Sequence, residues 1–168
     1  KGSASANAAG GIAGTNSAKI TNCVNEGTVA ANAGGQTEEK GTASLSVGGI
    51  AGIFNVFGIG EDGVISDCKN TGTVTADVAN VGGIAGEAYL GDPRYQATIE
   101  HCQNEGIVFA ANHYYAGIVA DVGIKADNTF AITDCTNETD FTEGEGAGIV
   151  HHLTMQKGTM EISDSVNH

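Results

Sequence analysis

Gly83-Ile84-Ala85-Gly86, then Ile99-Glu100-His101-Cys102-Gln103-Asn104, then Gly106-Ile107-Val108, is the stretch that decides the fold, because all three blocks return along the chain. The first recurs as Gly11-Ile12-Ala13-Gly14 and Gly49-Ile50-Ala51-Gly52, and in altered form as Gly117-Ile118-Val119-Ala120 and Gly148-Ile149-Val150-His151. Their leading glycines lie 38, 34, 34 and 31 residues apart. The second, I-x-x-C-x-N, recurs from Ile20, Ile65, Ile132 and Ile162, with Ser165 in place of the fifth cysteine. The third returns as Gly27-Thr28-Val29 and Gly72-Thr73-Val74, decays to Thr139-Asp140-Phe141, and is missing from the fifth unit.

A fixed period of this length is the mark of a stacked repeat architecture, in which one unit cannot bury its apolar side alone and must share a core with its neighbours. Each block is a short apolar run bounded by Gly or Asn, and no segment sustains a 3.6-residue period, so the blocks read as strands ended by turns. The expected fold is all-β: a right-handed β-solenoid, or parallel β-helix, of about five coils of roughly 34 residues with three short strands each. The coils fall at about 9–46, 47–80, 81–114, 115–145 and 146–168 of a single repeat domain spanning 1–168, read as a fragment of a longer surface protein. A propeller or sandwich fits less well, since a blade needs about 40 or more residues. An extra loop is expected around Gly34 to Ser44 in the first unit.

Stacking assigns roles to the repeated residues. Ile20, Ile65, Ile99, Ile132 and Ile162 should form one inward ladder. Asn25, Asn70, Asn104, Asn137 and Asn167 should form another, because stacked amides hydrogen-bond along the axis and Asn tolerates left-handed backbone at a corner. Cys23, Cys68, Cys102 and Cys135 share one register and are expected as a ladder of buried thiols. Rungs about 4.8 Å apart exceed the roughly 3.8 Å between Cβ atoms that a disulfide prefers. A linear stack offers no tetrahedral zinc site, so no metal and no cofactor are expected.

The pattern resembles the GLUG repeat, named for a Gly-Leu-x-Gly core and found in bacterial surface proteins and some immunoglobulin-cleaving metallopeptidases. Here Ile stands for Leu, and units four and five lack the second Gly. The resemblance implies a cell-surface or secreted setting with no activity of its own, since the catalytic domain of such peptidases is a separate region.

Seven basic against twenty acidic residues give a formal charge of −13, which repels nucleic acid and anionic membrane surfaces. No run approaches the roughly 20 apolar residues of a membrane span, so direct membrane insertion is not expected. No H-E-x-x-H, G-x-S-x-G, P-loop or EF-hand loop occurs. Adjacent His151 and His152 should point to opposite faces of a strand. A polysaccharide-degrading β-helix enzyme needs carboxylates and basic residues aligned on one face, and Arg94 is the only arginine.

A carbohydrate-binding role has more behind it. The loops after the first block carry Phe54, Phe57, Tyr89 and Tyr95, and in unit three Asp92 and Arg94 add hydrogen-bonding groups. The competing reading makes these rings corner caps on the core. The expected function is a non-catalytic extracellular structural or adhesive module of a bacterial surface protein, with host or environmental glycans or surface proteins as partners. Open coil ends also suggest end-to-end self-association.

Overall fold

The computed structural model describes residues 7–32, 45–57, 60–141 and 146–168, so the loop expected around Gly34 to Ser44 lies outside the described residues. The first coil holds β1 (Ala8–Gly10), β2 (Ala13–Asn16), β3 (Lys19–Thr21), β4 (Val24–Asn25) and β5 (Val29–Ala31). The second holds β6 (Ser46–Gly48), β7 (Ala51–Val56), β8 (Gly63–Ser66), β9 (Lys69–Asn70) and β10 (Val74–Ala76). The third holds β11 (Asn80–Gly82), β12 (Ala85–Leu90), β13 (Ala97–Glu100), β14 (Gln103–Asn104) and β15 (Val108–Ala110). The fourth holds β16 (Tyr115–Ala116), β17 (Val119–Ile124), β18 (Thr129–Thr133) and β19 (Thr136–Asn137), and the last β20 (Val150–Met155), β21 (Thr159–Ser163) and β22 (Val166–Asn167).

Each strand pairs in parallel with its counterpart in a neighbouring coil, giving columns β1-β6-β11-β16, β2-β7-β12-β17-β20, β3-β8-β13-β18-β21, β4-β9-β14-β19-β22 and β5-β10-β15. The protein is an all-β solenoid of about four turns. Five short strands, not three, make each of the first three coils. Gly11-Ile12 and its counterparts interrupt the first block between two strands, and the I-x-x-C-x-N block is likewise split.

That second split has a definite cause. Asn22, Asp67, His101, Asp134 and Asp164 all adopt left-handed backbone, with φ between 49 and 55°. Asn and Asp tolerate this conformation because their short polar side chains bond locally. The corner thus lies three residues before the asparagine ladder. Asn25 and its counterparts stand in strands, correcting the expectation that they form the corner.

The isoleucine ladder is in register throughout, Ile20 on Ile65, Ile99, Ile132 and Ile162. Ile65, Ile99 and Ile132 are fully enclosed, each burial contributing about 1.5–3 kcal/mol. They belong to the larger of two core clusters, with Phe54, Phe130, Leu90 and three of the cysteines. The smaller gathers Val47, Val74, Val81, Val108 and Tyr115 between the third-block strands and the column of β1.

Between the clusters each coil closes on itself at a waist. The amide of Asn25 donates to Asn70 at 2.8 Å, Asn70 to Asn104 at 2.8 Å, Asn104 to Asn137 at 2.8 Å and Asn137 to Asn167 at 2.7 Å. The same nitrogens donate to the carbonyls of Gly27, Gly72, Gly106 and Thr139. Gly11 and Gly49 face this ladder across the waist, where an added Cβ would stand 2.6 Å from Asn25 Cγ and 2.5 Å from Asn70 Cγ respectively. Leading glycine and ladder asparagine are therefore one device: a backbone close enough to seal the amide row leaves no room for a side chain.

Candidate functional site

The four cysteines are free, as the ladder geometry requires, with Cys68, Cys102 and Cys135 buried and Cys23 partly exposed. Each thiol donates to the carbonyl two residues back, Cys68 to Ser66 at 3.1 Å and Cys102 to Glu100 at 3.3 Å. Ser165 repeats the contact with Ser163 at 3.0 Å. The hydrogen bond with Cys102 holds the Cys68 thiol down to about 7 against the effect of burial, while Cys135 and Cys68 push Cys102 up. Among the described residues no group of three His, Cys, Asp or Glu side chains is arranged to hold a metal ion.

The aromatic residues divide. Phe54 is fully buried in β7 and belongs to the core, which corrects its assignment to a ligand-facing loop. Tyr89 also lies in a strand, β12, but on the outward side, stacked in register between Asn55 and Gly123. A Cβ on Gly91 would touch both the Phe57 and Tyr89 rings at 3.0 Å, so these two rings flank that glycine. Phe57 is 60% exposed, and Lys125 Nζ sits 5.1 Å from the centre of the Tyr89 ring.

Beside them the Asp92 turn is tied down by its own side chain. Asp92 Oδ1 accepts from Arg94 Nε at 2.9 Å and Oδ2 from Arg94 Nη2 at 2.6 Å. These bonds raise the guanidinium above its usual range and hold it 5.2 Å from the Tyr95 ring centre. Asn128 fastens the turn from the next coil by donating to the carbonyls of Asp92 and Tyr95. The Oδ1 atoms of Asn128, which is 2% exposed, and of Asn55 are buried without a hydrogen-bond partner. Such orphaned acceptors are rare. Phe57, Tyr89, Asp92, Arg94 and Tyr95 are thus brought to one edge of the second and third coils, with Lys125 and Asn128 contributed by the fourth.

A second polar group was not evident from the sequence. The residue following each first block forms a column, Thr15, Ile53, Glu87, Asp121 and His152. Ser46 Oγ donates to Glu87 at 3.0 Å, Asn80 Nδ2 to Asp121 at 3.4 Å, and His152 Nδ1 to Asp121 at 2.8 Å. Burial pushes the Glu87 carboxyl up against the opposing Ser46 bond, and neighbouring Asp121 adds to the rise. Tyr114 stacks on His152 with ring centres 4.7 Å apart and lies 4.8 Å from His151. Both imidazoles thus meet one ring instead of facing opposite ways. His151 occupies the register position of Gly86 and Ala120, and its Nδ1 lies 3.3 Å from the Tyr115 carbonyl. Aligning the residue after each first block is the signal that finds this column.

The model of the GLUG motif matches residues 5–30, which include β1 through β4. Residues 5–30 carry a GLUG motif. The later coils continue the matched GLUG unit in register, strand on strand. No curated protein and no solved structure matches the chain.

Proposed function

We propose that this chain is a non-catalytic structural or adhesive module of a bacterial cell-surface or secreted protein, working as a stalk or spacer. One observation carries the reading: what repeats points inward, and what points outward does not repeat. The inward columns are Ile on Ile and Asn on Asn, whereas the outward column of Val24 runs on through Lys69, Gln103, Thr136 and Val166. A sequence held to its stacking positions and free on its surface is built to extend. Glycan and matrix-protein binding should be measured alongside reducing-end release from a polysaccharide panel on one folded sample. A spacer gives neither signal and an adhesin gives binding alone. Release of reducing ends overturns the reading.

A carbohydrate-binding role is favoured by the edge that gathers Phe57, Tyr89, Arg94 and Tyr95, where an exposed ring and an exposed guanidinium stand together. Flat rings take the apolar face of a pyranose, and a guanidinium donates to its hydroxyls. Tyr89→Ala removes a half-buried ring and Arg94→Ala an exposed guanidinium. If glycan binding is found and both variants retain it, this edge is not the site.

A further inference from the structure

Independently of that reading, we infer that the row of stacked cysteines is a binding site for soft monovalent cations of the copper(I) and silver(I) class, each held in line between two successive sulfurs.

Register places the sulfurs. The strands on either side of each cysteine pair in step: Ile20 on Ile65 and Val24 on Lys69, then Ile65 on Ile99 and Lys69 on Gln103, then Ile99 on Ile132 and Gln103 on Thr136. Cys23, Cys68, Cys102 and Cys135 therefore stand on four successive rungs of one column. Parallel rungs lie about 4.7–4.9 Å apart. A metal–thiolate bond is about 2.3 Å long, so a cation midway between two sulfurs spans about 4.6 Å and fits the gap without moving the backbone. The spacing that is too wide for a disulfide suits a bridged cation.

The surroundings select the ion. Cys68, Cys102 and Cys135 are sealed in the larger apolar cluster beside Ile65, Ile99 and Ile132. The oxygens near the thiols belong to the backbone: Cys102 Sγ lies 3.3 Å from the Glu100 carbonyl and 3.6 Å from that of Ile65. Among the described residues no group of three ligating side chains is arranged for a metal, so four-coordinate zinc has no place here. A soft cation that takes two thiolates in line needs nothing more than the pair.

The thiols already share protons along the row. Cys102 hydrogen-bonds both neighbours and holds Cys68 and Cys135 below the ordinary thiol value, while its own is pushed up. Cations take the place of those shared protons, and each thiol that becomes a thiolate releases its proton to solvent. Three cations between four thiolates leave a net charge of only −1 with signs alternating along the row, which limits the cost of burying it.

Silver(I) should be titrated into the folded chain in chloride-free buffer with excess imidazole competing against the histidines, and the bound ions counted by native mass spectrometry. The chain should bind three ions, one per gap, and melt higher once filled. Cys23→Ser, which removes one gap, should bind two. Cys102→Ser, which removes two, should bind one, and both variants are first shown to be folded by circular dichroism. Should Cys102→Ser fail to fold, two ions in Cys23→Ser against three in the parent decide alone. Zinc(II) should not bind. Four ions in the parent, falling by one with each cysteine removed, would mean independent thiols and overturn the inference. So does any other pattern of counts, silver taken up only by the unfolded chain, or zinc held as well as silver.

Discussion

Asn104 accepts from Asn70 at 2.8 Å and donates to Asn137 at 2.8 Å, so a single amide joins three coils at the waist. Replacing it by alanine leaves one of the two hydrogens of the buried Asn70 amide, and the oxygen of Asn137, without their partner. Each orphaned group costs about 1–3 kcal/mol. Asn104→Ala should therefore lower unfolding free energy in urea by several times the loss from an exposed change such as Gln103→Ala. Asn104→Asp should be worse, since it sets a carboxylate against the Asn137 oxygen.

Gly83 should tolerate no side chain. A Cβ there would collide with the Gly117 carbonyl and with Asn104, backbone and ladder together. Overpacking of this kind costs about 1–3 kcal/mol, and more where backbone must move. Gly83→Ala should depress the melting temperature clearly. Gly123→Ala, whose Cβ would meet only the Tyr89 ring at 3.3 Å, should change it little.

Glu87 makes stability depend on pH. Burial first, then Asp121, holds its carboxyl above the ordinary 4.5, so the folded state takes up this proton more readily than the unfolded chain. The contribution to folding is complete below 4.5 and is lost as pH rises through the higher folded value. At neutral pH the ionised side chain is a cost that Glu87→Gln should remove, while the amide oxygen still accepts from Ser46. The variant should melt higher than the parent at pH 7, with the difference vanishing below pH 4.5.

Thiol reactivity should follow exposure. Cys23, partly open to solvent, should label first in the native protein, and Cys68, Cys102 and Cys135 only as the coils open. Cys102→Ser should fold, because Ser165 already makes the equivalent bond to a carbonyl two residues back. Mass spectrometry of a timed alkylation checks both.

The ladders were legible in the sequence because stacking repeats a residue at one register. Ile99 lies over Ile65, and Asn104 bonds Asn70, as periodicity alone required. The left-handed corner was placed wrongly because Asn stands both at Asn22, where the backbone turns, and at Asn25, where an amide is needed. Units with Asp or His at the corner carried the distinction. Phe54 and Phe57 looked alike as neighbouring aromatics, yet strand alternation sends one into the core and leaves the other exposed. The Glu87, Asp121 and His152 column escaped notice because its members differ in every coil, so only register reveals it.

The identical register of successive coils bears on how such a chain changes length over generations. Ala85 meets Ala51 behind it and Val119 ahead of it through equivalent pairings. Unequal recombination that removes or duplicates one whole unit therefore creates only junctions the fold already contains. An exchange out of phase by a single residue would turn five columns inside out at once. Heredity can lengthen or shorten the stack in steps of one coil, while smaller changes fall between the strands, where spacings of 38, 34 and 31 residues already differ.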